Sequence, residues 1–200
     1  MEADWEIEIS AEAPVIDGAW EGWLNLRTDP ARIAEIREAV EFPPLAESLV
    51  RLNAVSSPVW TAKCDFWPVE AFDPDELDAD RNAVAVALGC YIDLLPTNSA
   101  VFSTLDASAE WSKRLCLTLR SVHLRQCRVD VVVRRAFLTP ESAGLGMTAY
   151  LTGCGADQPE AGESLARALV VLTDSILASS ASVSKLGSTM KSSRASSSIG

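Results

Sequence analysis

Along residues 83–95, AVAVALGCYIDLL, the side chains Val84, Val86, Leu88, Cys90, Ile92 and Leu94 alternate with Ala83, Ala85, Ala87, Gly89, Tyr91 and Asp93. A period of two places the first set on one face of a β-strand and marks that face as a core surface. The other face begins with residues small enough for a second layer to approach, and ends with Tyr91 and Asp93, which can carry polar contacts. The alanines also allow a rival, in which residues 74–88 are helical and the strand starts at Gly89. Asp93 has two readings, a hydrogen-bonded carboxylate near an arginine or a carboxylate at the rim of a site. The first is favoured, because buried polar groups are normally paired.

The same patterning predicts the other elements. Residues 4–10, DWEIEIS, alternate Trp5, Ile7 and Ile9 with Glu6 and Glu8, the pattern of an edge strand with an acidic outer face. Residues 20–27 read as a second strand weakened by Gly22. Thr28-Asp29-Pro30 starts a helix with Ile33, Ile36 and Val40 on one stripe. Pro43-Pro44 opens a second helix with Leu45, Leu49 and Leu52 inward. Residues 59–67 form a strand with Trp60, Ala62, Cys64 and Phe66 on one face and Thr61, Lys63, Asp65 and Trp67 on the other. A loop at 96–103 leads to a helix over 105–122, with Trp111, Leu115, Leu119 and Val122 inward. Strands over 127–138 and 147–152 form a hairpin across a longer loop, and a last helix runs to about Ala178.

The order is β-β-α-α-β-β-α-β-β-α. It predicts an α+β, two-layer domain: a mixed, largely antiparallel sheet of about five to six strands with helices mainly on one face. The helix between residues 83–95 and 127–138 implies a parallel, right-handed crossover, with the other pairs antiparallel. Residues 1–178 form a single globular domain. Residues 179–200 contain ten serines, three bases and no acid, the composition of a disordered basic tail.

Charge changes the picture. The net charge is −11, with 22 acids and 6 bases in residues 1–110 (−16) and 11 bases and 6 acids in residues 111–200 (+5). Such an acidic first half opposes nonspecific nucleic-acid binding by the whole surface. Residues 113–135 hold seven bases and one acid, so nucleic-acid binding through that segment and the tail is a minor alternative. It is to be dropped if those bases pair with acids of residues 1–110. No apolar run is long enough for a membrane span, and the acidic start lacks the pattern of a secretory signal, so a cytoplasmic location is the default expectation.

Chemical motifs are sparse. A single histidine, His123, near a helix end, allows only one histidine-based catalytic arrangement and no histidine metal cluster. Five widely spaced cysteines (Cys64, Cys90, Cys116, Cys127, Cys154) contain no CxxC pair and read as buried small hydrophobes. GxxxxGK[ST] and GxSxG are absent, and Gly144-Leu-Gly146 lacks the third glycine of a dinucleotide loop. The six acids within residues 70–80 fail the EF-hand spacing and read as a solvated loop with one turn capped at Asp73. No metal and no cofactor is expected.

The leading expectation is a non-enzymatic domain that binds a macromolecule, most simply a protein. The acidic half and the six tryptophans motivate it, since Trp20, Trp23 and Trp67 would make a binding hot spot if they share a surface. An acidic neutralising partner of the antitoxin or immunity type would be one version, by analogy of charge alone. The alternative is a small enzyme using strand carboxylates or a thiol, with Asp65, Asp93 and Cys64. The candidate binding residues are Asp65, Trp67, Asp93 and Arg134.

Overall fold

The computed structural model describes residues 1–97 and 102–192, with side chains through Ser179. In chain order the elements are β1 (Glu2–Glu8), β2 (Ile16–Asp17), a 3-10 turn (Pro30–Glu35), α1 (Arg37–Glu41), α2 (Pro43–Leu52) and β3 (Val59–Pro68). A second 3-10 turn (Pro74–Leu77), β4 (Val86–Pro96), α3 (Leu105–Arg120), β5 (Cys127–Thr139), β6 (Ser142–Gly155) and α4 (Gln158–Ser192) follow. The fold is α+β, with one six-stranded mixed sheet in the order β1-β5-β6-β4-β3 and β2 beside β5.

The alternation gives β4 from Val86 onward, whereas residues 83–85 are turn and irregular backbone and Val84 packs with Leu77 and Ala87, not in the main core. Leu88, Cys90, Ile92 and Leu94 enter the main core with Val129 and Val131 of β5 and Leu151 of β6. α3 lies on β1 and β5, α4 on β6 and β4, and α2 on α4 and β3, so the helices share that face. β4 and β5 run the same way, as the connecting helix requires, but β6 inserts between them and pairs antiparallel with both. β1 is the expected edge strand, yet it pairs parallel with β5, against the expectation that the other pairs are antiparallel.

Several local expectations are corrected. Residues 20–27 are a turn-rich wrap, not a strand. They cap the β3 edge with side chains: the indole N–H of Trp20 donates to the Ala62 carbonyl at 3.0 Å and that of Trp23 to Thr61 at 3.2 Å. Gly22 sits inside this wrap against the Trp20 ring. The helix expected from Pro30 breaks at Ile36, whose backbone is extended between the 3-10 turn and α1. The break turns Val40 outward (63 % exposed) and puts Ala39 in the core.

A register shift between Thr61 and Cys64 marks a bulge in β3. It reverses the expected facing of Trp60 and Ala62, which join a small cluster with Ile16, Leu95 and Ala136, while Cys64 and Phe66 still face the main core. Buried Asn53, at the end of α2, fixes the start of β3. It donates to the Leu49 carbonyl (2.8 Å) and the Thr61 hydroxyl (2.6 Å), and accepts from the Thr61 N–H (3.2 Å).

The β5–β6 ladder continues to Thr139 and Ser142, so residues 142–146 are strand and the turn is short. Gly146 lies within it because a Cβ there would meet the Leu94 carbonyl at 3.0 Å and the Leu95 side chain at 2.8 Å. The last helix runs past Ala178 in its backbone, to Ser192. Part of the expected 96–103 loop and residues 193–200 of the expected tail lie outside the described residues.

Candidate functional site

The sheet face opposite the helices is the candidate site. The register assigns it Asp65 and Trp67 from β3; Gly89, Tyr91 and Asp93 from β4; Thr148, Tyr150 and Thr152 from β6; and Arg128, Asp130, Val132 and Arg134 from β5, with Lys63 of the β3 bulge at its border beside Trp20. Asp4, Glu6 and Glu8 of β1 complete its outer border. One end is covered by the loop carrying Leu77, packed on Ala87 and Cys154, and the other by Ile16 and Trp60. Between these covers the middle of the face carries none of the helices.

All four candidate binding residues lie here. Trp67, Tyr91 and Tyr150 form a row, with ring centroids 6.2 Å and 5.9 Å apart and interplanar angles of 50° and 51°. Gly89 sits opposite Trp67, where a Cβ would come within 2.9 Å of the indole, so the missing side chain is what lets the ring lie against the sheet. Asp65 pairs in register with Tyr91, and its Oδ1 accepts from the Phe66 N–H at 2.7 Å.

Beside the row runs a polar network centred on Arg134, which is 9 % exposed. Its Nε and Nη2 donate to Glu8 Oε2 at 3.0 and 2.7 Å. Its Nη1 donates to the Tyr150 hydroxyl at 2.9 Å and to Thr148 Oγ1 at 3.2 Å. Thr148 in turn donates to Asp93 Oδ1 at 2.6 Å. Asp93 is therefore hydrogen-bonded, with one threonine between it and the arginine. Burial pushes the Asp93 carboxyl up from its ordinary range, opposed by the Thr148 hydrogen bond and by Arg134 and Lys63. Burial, then the Asp93 and Asp65 carboxylates, push the Tyr91 hydroxyl up to about 12, so it stays neutral at physiological pH.

The two carboxylates of the enzyme alternative share one face and its thiol does not. Asp65 and Asp93 face the open side, while Cys64 packs against the main core on the other side of the backbone. Burial pushes the thiols of Cys64 and Cys116 up to about 12 and that of Cys127 to about 11, and raises Cys90 and Cys154, the opposite of an activated nucleophile. His123 is exposed beyond the end of α3. Among the described residues no three His, Cys, Asp or Glu side chains gather as metal ligands.

The basic segment is largely spent on ion pairs. Arg120 meets Asp4 (3.4 Å), Arg125 meets Asp78 (3.3 Å) and Arg134 meets Glu8 (2.7 Å), all acids of the first half. Arg128 pairs with Asp130 and Arg114 with Glu110. In the acidic loop, Asp73 Oδ1 accepts from the Asp75 N–H and Arg81 bridges both carboxylates. Among the described residues no helix is long and apolar enough to cross a membrane.

The concavities are open grooves. One of about 590 Å³ borders β1 and β5 on the open face, lined by Glu6, Glu8, Arg128, Asp130, Arg134 and Tyr150. Another of about 480 Å³ reaches around the β3 edge from Tyr91 and Lys63 to Leu49. A third, of about 510 Å³, is apolar and lies between Phe42, Phe66 and the start of α4.

Tyr150 and Glu8 were not singled out by the sequence reading, and Tyr91 was noted only for polar contacts. The signal was present in TAYLT, where Thr148, Tyr150 and Thr152 alternate with Ala149 and Leu151 as a polar strand face. Comparison with protein families, with characterised proteins and with solved structures returns no match to this chain.

Proposed function

We propose that the chain is a binding domain whose open sheet face docks a protein partner. The observation that carries this reading is the Trp67–Tyr91–Tyr150 row, half-buried, with Tyr150 at its end held by Arg134. Large aromatic side chains on a rigid, uncovered surface are what interface hot spots are made of. The adjacent groove is open, which suits a macromolecular surface better than an engulfed small molecule. The ion pairs of residues 114–134 weigh against nucleic acid, because few of those bases remain to neutralise phosphates. A second reading, an enzyme with Asp93 as a proton carrier, draws on the buried carboxyl beside Tyr91.

The test is native mass spectrometry of the protein recovered gently from its own cells, against Tyr91→Lys and the remote control Val55→Lys. The expected result is a protein-sized mass excess that vanishes on denaturation, survives Val55→Lys and is lost with Tyr91→Lys. A partner retained by Tyr91→Lys would overturn the assignment of the face. A small-molecule excess lost with Asp93→Asn would favour the enzyme.

A further inference from the structure

The geometry points to the chemistry of the partner. We infer that the Trp67–Tyr91–Tyr150 row seats an arginine side chain projecting from a basic segment of the docked protein. This rests on the open-face reading and adds the occupant.

The rings are tilted by about 50° to one another, not stacked, so the row is a set of inclined aromatic surfaces and not one closed stack. A guanidinium favours such a surface, since it lies flat on an aromatic ring and is drawn to the negative face of its π-system. The molecule already makes one contact of this kind: the Arg134 guanidinium carbon lies 5.5 Å from the Tyr150 centroid.

The charges of the face match the same occupant. Its cations are committed within the protein. Arg134 is held by Glu8, Arg128 by Asp130, and Lys63 sits over the Trp20 ring at 5.0 Å. Its acids are not equally spent. Asp65, beside Tyr91, accepts a backbone N–H and has no ion pair among the described residues, and neither does Glu6 at the far border. An arginine on the rings would find the Asp65 carboxylate at its side, whereas an anionic partner would meet carboxylates on both borders. A strand added to the sheet is the poorer alternative. The edges are already blunted, by Trp20 and Trp23 on β3, and on β1 by Arg120 on the Ala3 carbonyl (2.6 Å) and by Asp4 on the Trp5 N–H (2.8 Å).

The experiment is isothermal titration of the full chain with a synthetic peptide of alternating arginine and serine, and with its counterpart carrying neutral citrulline. The arginine peptide is expected to bind, and the citrulline peptide to bind at least about tenfold more weakly. The variant W67L/Y91L keeps every charge and is expected to lose about tenfold, while W67F/Y91F, which keeps the rings, retains most of the affinity. Glu47→Gln with Glu163→Gln, on exposed helical sites off the face, is expected to change nothing. No binding by the arginine peptide, equal binding of the two peptides, or affinity indifferent to ring loss would each overturn the inference. If the cellular partner is still released by Tyr91→Lys in that case, the open-face reading stands and only the arginine falls. If the partner survives Tyr91→Lys, the face itself falls.

Discussion

Arg134 is the residue on which the open face depends. Its guanidinium reaches β1 through Glu8 and β6 through Thr148 and Tyr150, so one side chain fastens three neighbouring strands. Arg134→Met keeps much of the apolar stem and removes every donor. It is expected to destabilise the fold by about 2–3 kcal/mol in urea denaturation, the range for charged hydrogen bonds with one partner half exposed. Arg134→Lys is expected to recover little, because a single ammonium cannot span Glu8 and Thr148 together. Asp93, at the end of the same chain of bonds, supplies the pH dependence. Burial raises its folded-state pKa above the ordinary 3.8, so the folded protein holds a proton that the unfolded chain releases. That contribution to stability is fully present below the unfolded value, is lost as pH rises through the raised folded value, and stays lost above it. Asp93→Asn does not titrate, and its carbonyl still accepts from Thr148. Relative to the variant, wild-type stability should therefore fall across that window, read as urea midpoints at successive pH values. A gap independent of pH would show that the buried carboxyl carries no penalty.

At the scale of elements, legibility followed regular periodicity and failed where geometry breaks it. The alternations of β4 and β5 announced which side chains line the core, because a strand with one buried face cannot slip by a residue without exposing them. The Leu45–Leu49–Leu52 stripe of α2 was equally plain. The β3 bulge was not, since nothing in VWTAKCDFW marks where an extra residue enters, and Trp60 and Ala62 were assigned to the wrong face. The 20–27 segment, with two tryptophans, resembles a strand in composition, yet its indole N–H groups cap an edge. The candidate residues Asp65, Trp67, Asp93 and Arg134 share one face because each follows strand parity, but their connection through Thr148 and Tyr150 required the strand order. Gly153 and Gly155 both lie in β6 beneath α4. A Cβ on Gly153 would stand 2.3 Å from the Leu165 backbone nitrogen and 2.8 Å from its Cα, atoms that cannot move without lifting α4. Gly153→Ala is expected to cost about 3 kcal/mol or more, the upper range for overpacking against backbone. Gly162→Ala, on α4 itself, has nothing nearer than 3.8 Å and is expected to add about 0.5–1 kcal/mol through helix propensity. Thermal denaturation of the pair compares the two; equal effects would deny the close approach of α4 to β6.

Over the whole molecule, folding redistributes a charge asymmetry without cancelling it. Three of the seven bases of residues 113–135 are drawn onto Asp4, Glu8 and Asp78 of the acidic half, and the net charge of −11 remains. A field of that sign acts over the distance of a diffusional approach, whereas the aromatic row acts only on contact. The two should therefore separate in kinetics. Raising salt from about 20 to about 200 mM shortens the screening length severalfold, and is expected to slow association of the arginine peptide by about tenfold while changing its dissociation rate by less than about twofold. W67L/Y91L should do the reverse, speeding dissociation about tenfold with the association rate nearly unchanged, because it leaves the charges in place. Stopped-flow measurement of the two rates distinguishes these effects. If salt instead acted mainly on dissociation, the ion pair with Asp65 and not the rings would be holding the partner, and the row would be only a surface over which that contact forms.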